Sequence, residues 1–279
     1  ALRRHVGTAR GARGERLAMH APWCGKVLQL HEAALVRWGV MVVGPSRGGK
    51  SECVSSYLAA RTHIDHPRLK HLAWKLNPKA MSPAQMFGAF DAHTGDWQDG
   101  IFSRLWRLAS KKQDGVWITL DGPVDPVWIE SLNTALDDNK MLTLANGDRL
   151  AMPKSLKLIF EVEDLNNASP ATVSRAGMVY ISGPTLGWEP RVQAWLEGRP
   201  TEERALLQPL FDSHAGAVIS AAADLGGFEA AWLAASVTVL IEALLDTPPP
   251  SHGRASTPAP SPRRQSKAAP VDPAIPSPG

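Results

Sequence analysis

The sequence contains few cysteines: Cys24 and Cys53 are the only two in 279 residues. Two thiols cannot build a disulfide-rich scaffold, and such scarcity is typical of proteins that fold in a reducing compartment. Cys53 follows a glycine-rich stretch at the start of a predicted helix, where we interpret it as a small buried side chain. We therefore expect hydrophobic packing, not disulfide bonds, to stabilise the fold.

Long hydrophobic runs are also missing. A membrane-spanning helix needs about 18 or more consecutive apolar residues, and the longest candidate, residues 230–245, is interrupted by Glu242 and by several small residues. We interpret that segment as a core helix. The composition, 44% hydrophobic and 20% charged, is that of an ordinary globular protein, so no membrane partner is expected.

Net positive charge is missing between the two ends of the chain. The net charge is +4 over residues 1–18 and +3 over residues 248–279, which leaves −4 for residues 19–247 in a chain of total charge +3. A basic surface along the folded part would be needed for nucleic-acid binding. The charge distribution therefore argues against nucleic acid as a partner.

The two basic ends are predicted to be disordered. The leader, residues 1–18, is rich in arginine and glycine and has no apolar periodicity, although a transit peptide is an alternative interpretation. The tail, residues 248–279, holds ten of the 23 prolines. Neither end has enough apolar surface to offset the entropy lost on ordering.

A phosphate-binding loop is predicted within VMVVGPSRGGKSEC, residues 40–53. The pattern G-x-x-x-x-G-K-[ST] directly follows a valine-rich run of strand type. In such loops backbone N–H groups surround the phosphates, the lysine reaches the β and γ oxygens, and the serine ligates Mg²⁺. The alternative is a glycine-rich turn that binds nothing. The predicted nucleotide-binding residues are Gly44, Pro45, Ser46, Arg47, Gly48, Gly49, Lys50 and Ser51.

Apolar segments that alternate with helical patterns predict the fold class. The predicted strands are residues 40–43, 72–76, 116–120, 156–160 and 178–181. Strands alternating with helices behind a phosphate loop indicate an α/β P-loop fold, a parallel five-stranded sheet flanked by helices with nucleotide at the carboxyl ends of the strands. We assign residues 19–183 to this domain and residues 184–247 to a smaller helical subdomain.

Shorter signals predict individual caps and turns. Asp99 is predicted to cap a helix over residues 101–110, and Asp125, followed by proline, to start a helix that reaches about residue 136. Asn146–Gly147, inside the alternating segment 141–152, predicts a hairpin with a two-residue turn.

Three histidines, His63, His66 and His71, lie between the first predicted helix after the loop and the second strand. A zinc site would need a partnering cysteine or a cluster of carboxylates at zinc-ligand spacing, and this region has neither. We therefore interpret all three as solvated loop residues.

Asp121 ends the third predicted strand, 71 residues after Lys50. A carboxylate there can support the shell of a Mg²⁺ ion that Ser51 ligates, although a turn or capping role is the alternative because Gly122 and a proline follow. Many ATPases place a glutamate directly after this aspartate to activate water, and Gly122 occupies that position. We therefore predict ATP or ADP binding with Mg²⁺, at Ser51 and Asp121, without efficient hydrolysis.

Five stretches resemble the second AAA+ module of dynein heavy chains, of the axonemal type. They are GPSRGGKS, LNPKAMSPAQMFGAFD, WQDGIFSRLWR, WITLDGPVDPVWIESLNTALDDNKMLTLANGDRLAM and LIFEVEDLNNASPATVSRAGMVYIS. The resemblance covers about residues 26–190, and residues 184–247 resemble the lid of that module more loosely. It implies a fragment of a motor protein whose partners are other AAA+ modules, the linker and, indirectly, microtubules. The implied location is the cytoskeleton of the cytoplasm, in the axoneme of a cilium or flagellum.

The resemblance also implies roles for two residues. Arg175, in SPATVSRAG, matches an arginine finger that acts on the ATP site of the neighbouring module, whereas a cation at a helix C-terminus is the alternative. Glu161 stands where hydrolytic modules carry an asparagine sensor, which again predicts weak hydrolysis. The insertion around residues 81–97 and the Asn146–Gly147 hairpin resemble inserts that face the linker.

Two other functions stay open on sequence grounds. A self-contained P-loop kinase or NTPase would need an acceptor pocket and a base, and the sequence has no signature of either. A structural module with a vestigial loop would not respond to nucleotide at all.

Overall fold

A computed structural model describes residues 20–66, 68–182, 187–226 and 230–246. The predicted disordered leader, residues 1–18, and tail, residues 248–279, lie outside the described residues. The chain divides into two compact units, residues 1–240 and 241–279. Of the second unit, the structure describes residues 241–246, which end the last helix.

The strands of the described residues are β1 (Gly39–Val43), β2 (His71–Leu76), β3 (Gly88–Phe90), β4 (Trp97–Asp99), β5 (Gly115–Asp121), β6 (Met141–Thr143), β7 (Arg149–Ala151), β8 (Leu156–Val162) and β9 (Gly177–Tyr180). The helices are α1 (Ala21–Val36), α2 (Lys50–Asp65), α3 (Pro83–Phe87), α4 (Ile101–Ser110), α5 (Pro126–Ile129), α6 (Asn133–Leu136), α7 (Pro170–Arg175), α8 (Glu189–Gly198), α9 (Thr201–Leu210), α10 (Gly216–Gly226) and α11 (Ala230–Asp246). None of the helices among these residues combines the length and the apolar content that crossing a bilayer requires.

The central sheet confirms the predicted fold class. Its five strands run parallel in the order β2-β5-β8-β1-β9. All five residues of β1 are buried, as are nearly all of β5 and β8. Strands covered on both faces lose the apolar–polar alternation and become continuous apolar runs, and this explains why these strands were recognisable in the sequence.

Two apolar layers cover the sheet. Met41 and Val43 point into the larger layer, which contains Phe102 and Trp106 of α4, whereas Val40 and Val42 point into the opposite layer. Side chains alternate between the faces of a strand, so one short valine-rich strand contributes to both layers. The helices α1 and α2 cover the second face.

The predicted helix over residues 126–136 is not continuous. Asp125 caps α5 as predicted, because its carboxylate accepts a hydrogen bond from the Val127 amide at 2.9 Å. A 3₁₀ turn over Glu130–Leu132 then separates α5 from α6. The buried residues keep helical spacing through this turn, so the sequence pattern could not reveal the tighter hydrogen bonding.

The predicted cap of α4 is wrong. Gly100, not Asp99, occupies the N-cap position, because a Cβ at residue 100 would lie 2.4 Å from the backbone of Met86 and only glycine fits there. The Asp99 carboxylate instead accepts hydrogen bonds from Trp97 Nε1 at 2.8 Å and Arg107 Nε at 2.7 Å.

The predicted hairpin over residues 141–152 is present as β6 and β7, but its turn has three residues rather than two. The Leu144 amide donates to the Asp148 carbonyl at 2.9 Å, which leaves residues 145–147 as the loop. Gly147 has φ 88°, so glycine supplies the left-handed position of a three-residue turn.

The region after Trp188 is helical, as predicted. The helices α9 and α10 are joined through a π-helical turn, Phe211–Ala215, instead of being separated. Pro209 lies inside α9 and cannot donate a backbone hydrogen bond. Such irregular turns commonly accommodate a local break in the helical hydrogen-bond ladder.

Candidate functional site

The predicted phosphate loop lies at the carboxyl end of β1, between that strand and α2. In the sheet, β1 lies between β8 and β9. After β1 and α2, the chain continues into β2, which is the edge strand on the β8 side. Ligands of open parallel sheets bind at the carboxyl ends of the strands, where the strand order reverses. The loop therefore occupies the position in the sheet that is favourable for binding a ligand.

Gly44 begins the loop in a confined space. Its amide donates to the Val162 carbonyl at 3.2 Å, and a Cβ at this residue would lie 2.0 Å from the Ile181 carbonyl oxygen. The neighbouring strands β8 and β9 thus hold the start of the loop. A side chain at residue 44 would force β1 and β9 apart at this edge.

The rest of the loop turns sharply into α2. The Gly48 amide donates to the Pro45 carbonyl at 3.1 Å, and Arg47 and Gly49 both have left-handed backbones, with φ 64° and 82°. Ser46 and Arg47 are exposed. Arginine is strained by about 1–2 kcal/mol in this conformation.

Lys50 is the first residue of α2, and its side chain folds back over the loop. Its Nζ donates to the carbonyls of Gly44 at 2.7 Å and Pro45 at 2.8 Å. The N-cap, Gly49, has no side chain that could cap the helix. The N-terminus of α2 therefore offers amide donors and a positive dipole end to an anion.

Four polar side chains meet beside the loop, and we call Ser51, Lys75, Asp121 and Glu161 the polar cluster. Asp121 and Glu161 are register partners on β5 and β8. Ser51 Oγ donates to Glu161 Oε2 at 2.5 Å. Lys75 Nζ lies 2.9 Å from Asp121 Oδ2 and 3.3 Å from Glu161 Oε2. The structure thus brings the predicted metal residues, Ser51 and Asp121, into one cluster.

Lys75 was not predicted to be a site residue, and no contact was predicted for Glu161. Lys75 sits next to last in β2, and only the strand order brings β2 beside β5. The sequence feature that could have indicated Lys75 is a single lysine within a mainly apolar predicted strand. Glu161 had been recognised only as a departure from the resembled pattern.

The charges of the polar cluster are unbalanced. Burial alone would lower the pKa of Lys75, but the hydrogen bond to Asp121 and the charge of Glu161 outweigh burial and raise its pKa above the usual value. Lys75 is therefore charged at neutral pH, and it faces two carboxylates. A site with one excess negative charge and a hydroxyl has the hard oxygen donors that Mg²⁺ prefers.

These residues fit a metal ion only if it is shared with a ligand. Among the described residues no group of three or more histidine, cysteine or acidic side chains is arranged to hold a metal by itself. Mg²⁺ usually takes one or two protein oxygens and completes its shell with phosphate and water. Ser51 and Asp121 match that pattern.

The position after Asp121 carries no general base. Gly122 donates its amide to the Glu161 carbonyl at 3.2 Å, and a Cβ there would approach Asn77 Oδ1 to 3.1 Å. Asp125, the next acid along the chain, caps α5. Neither residue has a carboxylate available to activate water.

Cys53 lies on α2 next to the site and is fully buried, as predicted. Burial, followed by the charge of Glu161, raises the pKa of its thiol to about 12. A thiol with so high a pKa is not a nucleophile at neutral pH. Cys53 therefore fills space behind the loop.

Arg175 lies apart from the loop. It ends α7 two residues before β9, and Gly177 at the start of β9 pairs with Val40 near the start of β1. This is the amino-terminal edge of the sheet, opposite the loop. Its Nη1 donates to the Ala171 carbonyl at 2.9 Å, and its Nε lies 3.3 Å from Asp137 Oδ2.

The interpretation of His71 as a solvated loop residue is wrong. It begins β2, and its side chain is only 5% exposed, with Nε2 2.8 Å from Asp65 Oδ2, while Trp117 Nε1 donates to its Nδ1 at 2.9 Å. The pattern failed because these partners come from α2 and β5. His63 and His66 are exposed, as predicted, but His63 lies in the last turn of α2 and not in a loop.

A groove of about 490 Å³ lies beside the β3–β4 hairpin, in the predicted insertion. It is lined by residues such as Met81, Gln85, Phe90, Ile101 and Arg104. None of its lining residues belongs to the loop or to the polar cluster. The groove therefore gives no support to a kinase with an acceptor pocket beside the phosphate loop.

Comparison with known proteins gives a consistent result. Residues 39–176 match the AAA domain of the dynein-related subfamily. The chain is 57% identical over 188 residues to the dynein gamma chain of the flagellar outer arm from Chlamydomonas reinhardtii. It is 52% identical over 200 residues to human dynein axonemal heavy chain 8. These alignments cover 67% and 71% of this chain but only 4% of each relative.

Proposed function

Because the chain belongs to the dynein-related subfamily of AAA domains, we propose that it is a nucleotide-holding module of an axonemal dynein heavy chain, which binds Mg·ATP and hydrolyses it poorly. One observation carries this proposal. The phosphate loop and the polar cluster share the carboxyl edge of the sheet, while Gly122 occupies the place where a water-activating carboxylate is needed.

Binding uses the loop backbone and Lys50. The loop amides and the N-terminus of α2 receive the phosphates. Lys50 exchanges its bonds to the Gly44 and Pro45 carbonyls for bonds to the β and γ phosphate oxygens. Ser51 and Asp121 are the residues that would hold Mg²⁺, which neutralises phosphate charge when it is bound.

Weak hydrolysis follows from the partners of the nearby acids. The Glu161 carboxylate accepts the Ser51 hydroxyl and faces Lys75. Asp121 pairs with Lys75, and Asp125 caps α5. A general base must be placed to take a proton from the attacking water. Each of these three carboxylates is already engaged in a hydrogen bond or an ion pair within the chain, so none is placed to take that proton.

Arg175 is proposed to act in trans. The opposite position of the two edges means that Arg175 cannot serve its own loop, whereas a neighbouring module of a ring can present its ATP site to that edge. A guanidinium there offsets charge on the transferring phosphoryl group, an effect worth about 10³-fold or more in rate. This role suits the second module of the ring, with the linker and the other modules as partners.

The proposed setting is the motor of a cilium or flagellum. The relatives named above are axonemal or flagellar dyneins, and we propose that this chain works within such a motor, in the axonemal cytoskeleton. Movement along microtubules would belong to the whole assembly, to which the module contributes ATP binding and Arg175.

Thermal unfolding of the Lys50→Ala variant tests the binding site. At an ATP concentration about 100 times the Kd, binding should stabilise the wild type by about 2.7 kcal/mol. For a domain of this size, that corresponds to an increase in Tm of roughly 5–10 °C. The variant should show no increase. Lys112→Ala, a change at an exposed lysine of the same chain, is the control and should behave as the wild type. Equal shifts in all three proteins, or none in the wild type, would indicate a vestigial loop.

A further inference from the structure

The polar cluster places a lysine where the proposed metal ligands converge. Lys75 Nζ lies 2.9 Å from Asp121 Oδ2, 3.3 Å from Ser51 Oγ and 3.3 Å from Glu161 Oε2. An ammonium group has three donors and no acceptor. Its three contacts are therefore with the two proposed Mg²⁺ ligands, Ser51 and Asp121, and with the buried carboxylate beside them.

The two carboxylates need a positive charge at this point. Asp121 and Glu161 are side by side on β5 and β8, and Glu161 is only 4% exposed. A buried carboxylate without a compensating charge is strongly unfavourable. Lys75 supplies that charge, because its Nζ contacts both carboxylates.

A metal ion and the ammonium compete for this position. Mg²⁺ binds oxygens at about 2.0–2.1 Å in octahedral geometry. Because Lys75 Nζ contacts both Ser51 Oγ and Asp121 Oδ2, an ion bound to these two oxygens would lie within about 5 Å of Nζ. Two cations repel at such a distance. The ammonium therefore opposes Mg²⁺ binding at these two oxygens unless Lys75 moves away.

Movement of Lys75 is sterically possible. Its side chain is 48% exposed, and a lysine has a flexible four-carbon stem that can carry its charge into solvent. Lys75 and a divalent ion are thus alternative occupants of one cation position.

We propose that the Lys75 ammonium is the resident cation of this site, so that the chain binds ATP with little dependence on Mg²⁺. This inference rests on the proposed nucleotide binding. Lys75 already offsets the carboxylates that would otherwise repel the phosphates, and Mg²⁺ has to compete with this ammonium for the same oxygens. Removing the ammonium should make ATP binding depend on the metal.

Equilibrium binding of ATP to the full 279-residue chain, in excess Mg²⁺ and in EDTA, tests this inference. For the wild type, the Kd should differ by less than about threefold between the two buffers. For Lys75→Met, the Kd in EDTA should be about tenfold or more above that in Mg²⁺, since a charged partner is lost. Lys79→Met, a change at an exposed lysine four positions along, should match the wild type.

Each outcome is decisive. Wild-type binding that is lost in EDTA would overturn the inference and leave the proposed function intact, and this part of the test needs no variant. Lys75→Met binding equally well in both buffers, with a wild-type far-UV circular dichroism spectrum, would also overturn it. If no form of the chain binds ATP in either buffer, the proposed function fails, and the inference fails with it.

Discussion

Gly44 is the residue at which the loop leaves no room for a side chain. In Gly44→Ala, the new methyl group would lie 2.0 Å from the Ile181 carbonyl oxygen, so β1 and β9 must separate. We expect the free energy of unfolding to fall by about 1–3 kcal/mol, as in other overpacked sites. Urea denaturation measures the change.

Gly25→Ala is the matched control for this prediction. Gly25 lies inside α1, and a Cβ there meets no atom within 4 Å. Alanine favours a helix interior over glycine by about 0.8–1.0 kcal/mol, so this variant should be more stable than the wild type. Equal stability of the two variants would contradict the packing argument at residue 44.

Asp65 makes a pH-dependent contribution to stability. The hydrogen bond from His71, reinforced by Arg61, lowers the pKa of Asp65 below its ordinary value of 3.8. A carboxyl group with a lowered folded pKa stabilises the fold above the unfolded pKa, and this contribution is lost as pH falls through the folded pKa. The advantage of the wild type over Asp65→Asn should therefore be present at pH 7 and decline below about pH 4. Urea denaturation at several pH values measures it, and a constant difference from pH 3 to pH 7 would contradict the assignment.

The roles of some site residues could be predicted from the sequence, and the roles of others could not. The loop residues could be predicted because each fixed position of the loop pattern accepts only certain residue types. At residue 44, for example, there is no room for a Cβ. Lys75 could not be predicted, because its partners Asp121 and Glu161 lie on other strands and become neighbours only through the strand order. The same limit explains part of the error at His71, because Trp117, which donates to His71 Nδ1, lies 46 residues away in the sequence.

At the scale of elements, Arg107 connects two hairpins. It extends from α4 and its guanidinium lies 2.7 Å from Asp99 of β4 and 2.6 Å from Asp148 in the β6–β7 turn. Both pairs are partly exposed, so each contributes at most about 1 kcal/mol. The contacts should therefore affect the mobility of the hairpins more than the stability of the whole fold.

Arg107→Gln tests this connection. The free energy of unfolding should fall by less than about 1 kcal/mol, while amide hydrogen exchange accelerates in residues 88–99 and 141–151. Arg104→Gln, an exposed residue of the same helix, should leave both measurements unchanged. If exchange in the hairpins is the same in both variants, the two hairpins are held by other contacts.

The elements of the sheet were predictable because buried parallel strands are short apolar runs. Their order was not, since nothing local encodes which strands pair. Turns were predicted less well than strands. The chain uses Gly100 as a cap because of a close backbone contact with Met86, and the Asn146–Gly147 hairpin places only its glycine in the left-handed region.

At the scale of the whole molecule, the phosphate loop and Arg175 lie at opposite edges of the sheet. The phosphate loop follows the carboxyl end of β1, and Arg175 precedes the amino end of β9. This arrangement suits a module that takes ATP at one edge and contributes a guanidinium to a neighbour at the other. The role of Arg175 in a neighbouring module was suggested by the sequence resemblance. The amino-acid composition alone could not have suggested it.

We propose that this module binds ATP and hydrolyses it poorly. The most direct test mixes the purified chain with Mg·ATP and follows bound nucleotide and released phosphate in the same reaction. We predict binding of about one ATP per chain with turnover far below roughly one per second, the low end for typical enzymes. Sustained phosphate release near one per second, or no binding at millimolar ATP, would contradict the account.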